Sequence, residues 1–221
     1  TPLVATNVPC HLSYVIFSMQ RSGTTTLCRD LSRLKMNCLY ELFNWGRGNT
    51  GLIWGQYLNI TAEQAERWPM EYISRVLQAH NTSRPIGQHI AKIGSMDGPT
   101  RVQCQSGFKL FPGHHIRPEA AAKLATTCII FRRQNVTAQY ISWKRASTYG
   151  GGCWGTRPTE QRDCREKAPT EIGEDFEEFK RKYTEWYLRV EKACVGRTIV
   201  QWTTEGYLTQ VRSVLEIMNL L

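Results

Sequence analysis

The most constraining feature of this chain is a short apolar run that breaks off into glycine and hydroxyl residues. Tyr14-Val15-Ile16-Phe17 is rich in β-branched and aromatic side chains, as expected of a strand buried on both faces. The turn Gln20-Arg21-Ser22-Gly23-Thr24-Thr25-Thr26 follows, and from Thr25 the spacing becomes helical, with Leu27, Leu31 and Leu34 on one face. Such a strand, turn and helix bring free backbone N–H groups and the positive end of a helix dipole to one point, which is an anion site. Gly23 lets the backbone approach a ligand, Arg21 adds a fixed charge, and Thr24, Thr25 and Thr26 can donate hydroxyl hydrogen bonds. The pattern GxxxxGK[ST] of nucleotide triphosphatases does not occur, so its phosphate-neutralising Lys and magnesium-binding Ser/Thr are missing.

Strands and helices alternate along the rest of the chain. Cys38-Leu39-Tyr40-Glu41-Leu42 reads as a second strand ending in a loop from Phe43 to Gly55, and Ala62 to His80 as a helical stretch interrupted at Pro69. Gly107 to Phe111 reads as a strand stopped by Pro112-Gly113, and Pro118 opens a short alanine-rich helix. Thr127 to Phe131 is a further core strand, followed by a helix from about Asn135 to Thr148 and a long loop from Tyr149 to Thr170. An amphipathic helix, Glu174 to Ala193, carries Phe176, Phe179, Tyr183, Trp186 and Val190 and ends near Gly196. Thr198 to Trp202 is a last strand, with a final helix from about Gly206. This order predicts an α/β fold of three layers: a central, mostly parallel sheet with helices on both faces and ligands beyond the carboxyl ends of the strands. At 221 residues and 41% apolar content, residues 1–221 are expected to form one domain.

The excess of 28 Lys+Arg over 19 Asp+Glu, a net charge of +9, suits an anionic ligand, an anionic polymer or a membrane surface without choosing among them. No apolar run reaches the roughly 20 residues of a membrane span, and a chain beginning at Thr1 fits one whose anchor or signal has been removed. Eight cysteines, Cys10, Cys28, Cys38, Cys104, Cys128, Cys153, Cys164 and Cys194, favour an oxidising compartment, and their spacing matches no zinc site. Cys153 and Cys164 bracket a Gly- and Arg-rich loop that a bridge would restrain, whereas Cys28 and Cys128, inside core elements, read as small buried hydrophobes. The sequons at Asn59, Asn81 and Asn135 agree with a secretory chain, although Asn135 lies too near the basic motifs to carry a glycan.

The run Gln20 to Leu27 resembles the 5'-phosphosulfate loop of sulfotransferases that use 3'-phosphoadenosine 5'-phosphosulfate (PAPS), and Arg at position 21 is more like the carbohydrate and Golgi-type members than the cytosolic ones. The segment Ile129-Ile130-Phe131-Arg132-Arg133-Gln134-Asn135, continuing through Ala138, Gln139 and Ser142, is similar to the 3'-phosphate motif of the trehalose and Nod-factor-type enzymes. The resemblance implies a P-loop NTPase-like sulfotransferase fold. Gln20, Arg21, Ser22, Gly23, Thr24, Thr25 and Thr26 would hold the phosphosulfate, and Arg132 or Arg133 with Ser142 the 3'-phosphate, the inward arginine being left open. Trp202 to Leu208 looks like the Tyr-Glu-Asp-Leu region after the family's last strand and adds support for the fold.

Sulfuryl transfer needs an in-line acceptor oxygen, preplaced donors and a base. Glu41, in Glu41-Leu42-Phe43, resembles the Glu of the trehalose-type enzymes and is the first candidate base. His114 and His115 are alternatives, since imidazole titrates near neutrality, and Lys109 matches a charge-stabilising position in the family. Trp45, Trp54 and Tyr57 on one side, and Trp154, Arg157 and Arg162 on the other, are expected to line the acceptor surface, which favours a glycan and leaves an acidic one open. The resemblance further implies transfer without a metal and a Golgi or secretory-pathway location as a type II membrane protein. Two other readings are a P-loop kinase or NTPase and a non-catalytic basic module that binds glycans; nucleic acid is disfavoured because the aromatics sit in loops rather than on a basic sheet face.

Overall fold

Tyr14 and Ile16 point to one side of their strand and Val15 and Phe17 to the other, and all four are fully buried, so this strand must lie inside a sheet covered on both faces. It is β1 (His11–Phe17), the central strand of five in the computed structural model, which describes residues 11–33, 36–46, 49–82, 105–149 and 172–209. The others are β2 (Asn37–Cys38), β3 (Gln105–Leu110), β4 (Thr127–Arg132) and β5 (Thr198–Thr203), arranged β2-β3-β1-β4-β5 with every pair parallel. The described helices are α1 (Thr24–Arg33), α2 (Thr50–Leu58), α3 (Ala62–Arg67), α4 (Pro69–Thr82), α5 (Pro118–Leu124), α6 (Val136–Tyr149), α7 (Phe176–Ala193) and α8 (Thr204–Thr209).

Two apolar cores result, one on each face of the sheet. Val15, Phe17, Phe108, Cys128 and Ile130 meet Trp54, Tyr72 and Val76 from α2 and α4 and Phe179, Tyr187 and Val190 from α7. Tyr14, Ile16, Ile129 and Phe131 meet Leu27, Cys28 and Leu31 from α1 and Tyr207 from α8. Each fully buried Phe or Leu contributes about 1.5–3 kcal/mol, so these two layers supply most of the driving force. Gly107 is dictated by this packing: a Cβ there would fall 2.2 Å from the Tyr14 ring, whose hydroxyl donates to the Asn37 carbonyl at 2.8 Å and ties β1 to β2.

The predicted alternation is present, with three local differences. The second strand is shorter than Cys38 to Leu42: pairing of β2 to β3 is carried on by Leu39 N–H to the Gly107 carbonyl and Lys109 N–H to the Tyr40 carbonyl, both 2.7 Å, and then Tyr40 at φ +52° turns the chain away. The end of the expected loop from Phe43 to Gly55 is helical, because α2 begins at Thr50 and buries Trp54. Cys28 and Cys128 are buried but are not merely small hydrophobes. Cys28 bonds Cys38, with Cα atoms 5.4 Å apart, joining α1 to β2; Cys128 bonds Cys194, at 6.1 Å, joining β4 to the end of α7. Each disulfide thus closes one face of the sheet, as in a chain that folds in an oxidising compartment. Cys153 and Cys164 lie outside the described residues, and no described helix is long and apolar enough to cross a membrane. At Asn135 the side-chain oxygen accepts the Ala138 N–H at 2.8 Å, capping α6.

Candidate active site

Because all strands are parallel, the chain leaves β1, β2, β3, β4 and β5 along one edge, and the sequence-predicted residues collect there. The turn after β1 is held from four sides. Ser18 Oγ donates to the Phe131 carbonyl at 2.6 Å, and the Tyr187 hydroxyl donates to that same carbonyl at 2.8 Å while receiving the Met19 N–H at 3.2 Å. Gln139 Nε2 donates to the Gln20 carbonyl at 2.8 Å, and Thr204 Oγ1 to the Ser22 carbonyl at 2.5 Å. Arg21 at φ +67° and Gly23 at φ +87° both lie in the left-handed region, a conformation that costs a non-glycine residue about 1 kcal/mol and that these contacts enforce. The Ser22 hydroxyl is turned inward, donating to the Met19 carbonyl at 2.8 Å and touching the Ser18 hydroxyl, so it supports the turn's own structure. Thr24, Thr25 and Thr26 form the first turn of α1, in which the Thr26 N–H donates to the Gly23 carbonyl at 3.0 Å; Thr24 is buried and Thr26 exposed.

The second basic motif meets this turn directly. Arg21 Nε donates to Ser142 Oγ at 3.0 Å across 121 residues, and Arg133 Nη1 donates to the Arg21 carbonyl at 3.4 Å. Burial lowers the pKa of the Arg21 guanidinium and the neighbouring Arg133 charge lowers it further: two like charges have been brought together. Arg132 does not join them. As the last residue of β4 it projects to the opposite side from Arg133, pairing with Glu191 and lying over the Tyr187 ring at 4.5 Å. Sequence reasoning missed Glu205, whose carboxylate accepts the N–H groups of Gln134 at 2.9 Å and Asn135 at 3.2 Å; although burial opposes it, those bonds and Arg133 hold its pKa below the usual carboxylate range. The only signal was its place just after the last strand.

Three of the four proposed catalytic side chains form a second group. Glu41 Oε1 lies 3.4 Å from Lys109 Nζ, and Oε2 lies 3.8 Å from His114 Nε2 and receives Asn44 Nδ2 at 2.8 Å. Lys109 is a core residue, 2% exposed, with the Tyr40 and Phe111 rings 5.1 and 5.4 Å from its ammonium. Burial pushes Glu41 up, but Lys109, Asn44 and His114 outweigh it and keep the carboxylate ionised below the usual range. Burial, with Lys109 and His115, pushes His114 down to about 4 against the pull of Glu41. His114 is therefore neutral at pH 7, and since Nδ1 accepts the Phe111 N–H at 3.4 Å, its proton sits on Nε2, facing Glu41. His115 is exposed and outside this group, its N–H donating to the Phe43 carbonyl at 3.1 Å.

The expected acceptor surface is not assembled from Trp45, Trp54 and Tyr57. Trp54 is 1% exposed in the core, Trp45 packs on Tyr72 and against Gly55, and only Tyr57 is exposed. Trp154, Arg157 and Arg162 lie outside the described residues. A cavity of about 440 Å³ does open beside the turn, walled by Met19, Gln20 and Pro112 and floored by Trp143, Phe179 and Trp186. Gln20 and Pro112 touch through a 3.5 Å contact from Gln20 Nε2 to the Pro112 carbonyl, so the strand-end segment carrying Lys109 and His114 borders the cavity. Among the described residues no cluster of three or more His, Cys, Asp or Glu could hold a metal ion. No family model matches the chain, and neither curated proteins nor solved structures show a significant match to it.

Proposed function

We propose that this chain is a sulfotransferase of the P-loop-like fold that moves the sulfuryl group of PAPS to a carbohydrate hydroxyl. The observation that carries this reading is the meeting of Arg21, Ser142 and Arg133 from motifs more than a hundred residues apart. Two guanidiniums brought together at a helix N-terminus are well placed for a ligand bearing phosphates at two positions. The resemblance assigns the turn to the phosphosulfate and Arg132 or Arg133 with Ser142 to the 3'-phosphate; the pairing of Arg132 with Glu191 favours Arg133 for that role. Helix α1's first turn and the Arg21 charge would stabilise negative charge on the leaving phosphate.

In the transfer step the acceptor oxygen forms a bond to sulfur while the bond from sulfur to the 5'-phosphate oxygen breaks. The hydroxyl proton goes to Glu41, and 3'-phosphoadenosine 5'-phosphate leaves. Glu41 suits the base role because Lys109 and Asn44 keep it ionised and oriented. His114, neutral with its proton on Nε2, suits a donor better than a base. The two disulfides fit a lumenal or secreted enzyme, and we assign it to the Golgi lumen. Incubation with radiolabelled PAPS and a panel of glycans tests this: label should enter at least one sugar and survive a chelator. A chain that binds nucleotide and glycan but never transfers label is a binding module instead.

A further inference from the structure

The cavity beside the turn has a composition that the basic character of the whole chain conceals. Its floor is three aromatic rings, Trp143 from α6 and Phe179 and Trp186 from α7, the first two tilted at 34° to each other with centroids 5.6 Å apart. Trp186 is 9% exposed, and its indole N–H has no hydrogen-bond partner among the described residues.

The rim carries five charged side chains, every one already engaged by protein. Asp175 meets Lys144 Nζ at 2.6 Å and the Tyr140 hydroxyl; Glu178 meets Lys182 at 2.6 Å; Glu185 meets Arg181 at 2.7 Å. Arg189 grips Glu119 with two bonds of 2.6 and 2.9 Å. With their partners Lys144, Arg181 and Glu119 counted, these paired side chains sum to zero charge, on a chain of net +9. An anionic glycan would find each of these cations already paired with a carboxylate. A neutral sugar would find aromatic faces for its C–H surface and carboxylate oxygens that accept from hydroxyls while keeping their ion pairs.

We infer that this cavity is the acceptor subsite and that it takes an uncharged sugar ring. This rests on the sulfotransferase reading for the word acceptor, and it replaces the acidic glycan that the overall charge allowed. Its position supports the assignment, since Met19 and Gln20 belong to the turn and Pro112 lies between Lys109 and His114 in the chain. The basic surface is then left for the donor's phosphates.

Binding of maltotriose, N,N',N''-triacetylchitotriose and a heparin-derived tetrasaccharide is compared by saturation-transfer NMR and tryptophan fluorescence, with and without 3'-phosphoadenosine 5'-phosphate. A neutral trisaccharide should bind and the heparin fragment should not compete with it. Trp143→Leu, at a half-buried position, should weaken the sugar about tenfold with nucleotide affinity unchanged. Glu178→Gln, at an exposed position that leaves the core intact, should weaken it about threefold and so answers for a poorly folded tryptophan variant. Tighter binding of the heparin fragment, or loss of nucleotide affinity in Trp143→Leu, overturns the inference; the latter would mean that the floor stacks the adenine base. If the nucleotide fails to bind but the neutral sugar binds with the same response to Trp143→Leu, the sulfotransferase reading falls and the sugar subsite stands.

Discussion

The turn after β1 and the group around Glu41 sit on the same sheet edge and handle charge in opposite ways. At the turn, Arg21 and Arg133 are brought together as like charges, hydrogen-bonded to a hydroxyl and a carbonyl, with the Glu205 carboxylate near Arg133. Around Glu41, a buried ammonium, a carboxylate, an amide and a neutral imidazole balance one another. On the proposed function the first arrangement would receive an anion from outside, and the second would use the ionised Glu41 carboxylate to accept a proton. On that reading the difference separates binding from chemistry, and variants in the two regions should fail in different ways.

The largest split is expected from Glu41→Gln, which keeps the side-chain shape but removes its basicity. Turnover should fall about 10²- to 10³-fold with the affinity for 3'-phosphoadenosine 5'-phosphate unchanged, as read by kcat and calorimetry side by side. Loss of nucleotide affinity in this variant would show that the two regions are one site. Next, Arg21→Ala or Arg133→Ala should weaken nucleotide binding about 30- to 100-fold by removing a charge-assisted contact. Arg132→Ala should change it less than about threefold, because that guanidinium faces Glu191. Equal effects at 132 and 133 would refute the division of labour drawn from β4.

A smaller effect, on stability, isolates the Glu41 group. Folding holds His114 at about 4 against an ordinary 6.5, so the unfolded chain binds more protons between those values and stability rises with pH through that window. The contribution is about 3 kcal/mol, complete above pH 6.5 and lost as pH falls toward 4. Urea unfolding of His114→Gln should show that slope removed, whereas an unaltered slope would place the acid sensitivity elsewhere.

How far these regions could be read from sequence follows from how local each signal is. The turn was legible because the apolar strand, Gly23 and the helical repeat lie within twenty residues and dictate their own geometry. The Arg132 to Ser142 motif was legible as a pattern, but which arginine faces the turn depends on the side of β4 from which each projects. Glu41, Lys109 and His114 were picked separately; their meeting needed the β2-β3 pairing and the left-handed turn at Tyr40. The disulfides were invisible because Cys28 and Cys128 sit in apolar runs and their partners approach only through helix docking. Trp143 and Trp186 were hidden too, since an aromatic stripe on a helix looks alike whether it fills a core or floors a cavity.

On the proposed function, the paired arginines form a receptor for a nucleotide with phosphates at both the 3' and 5' positions. Titration calorimetry of the purified chain with 3'-phosphoadenosine 5'-phosphate, with ATP as control, tests it most directly. One site of about micromolar affinity is expected for the bisphosphate, at least about tenfold weaker for ATP and lost in Arg21→Ala. Equal affinity for ATP, or no heat with the bisphosphate, would contradict it.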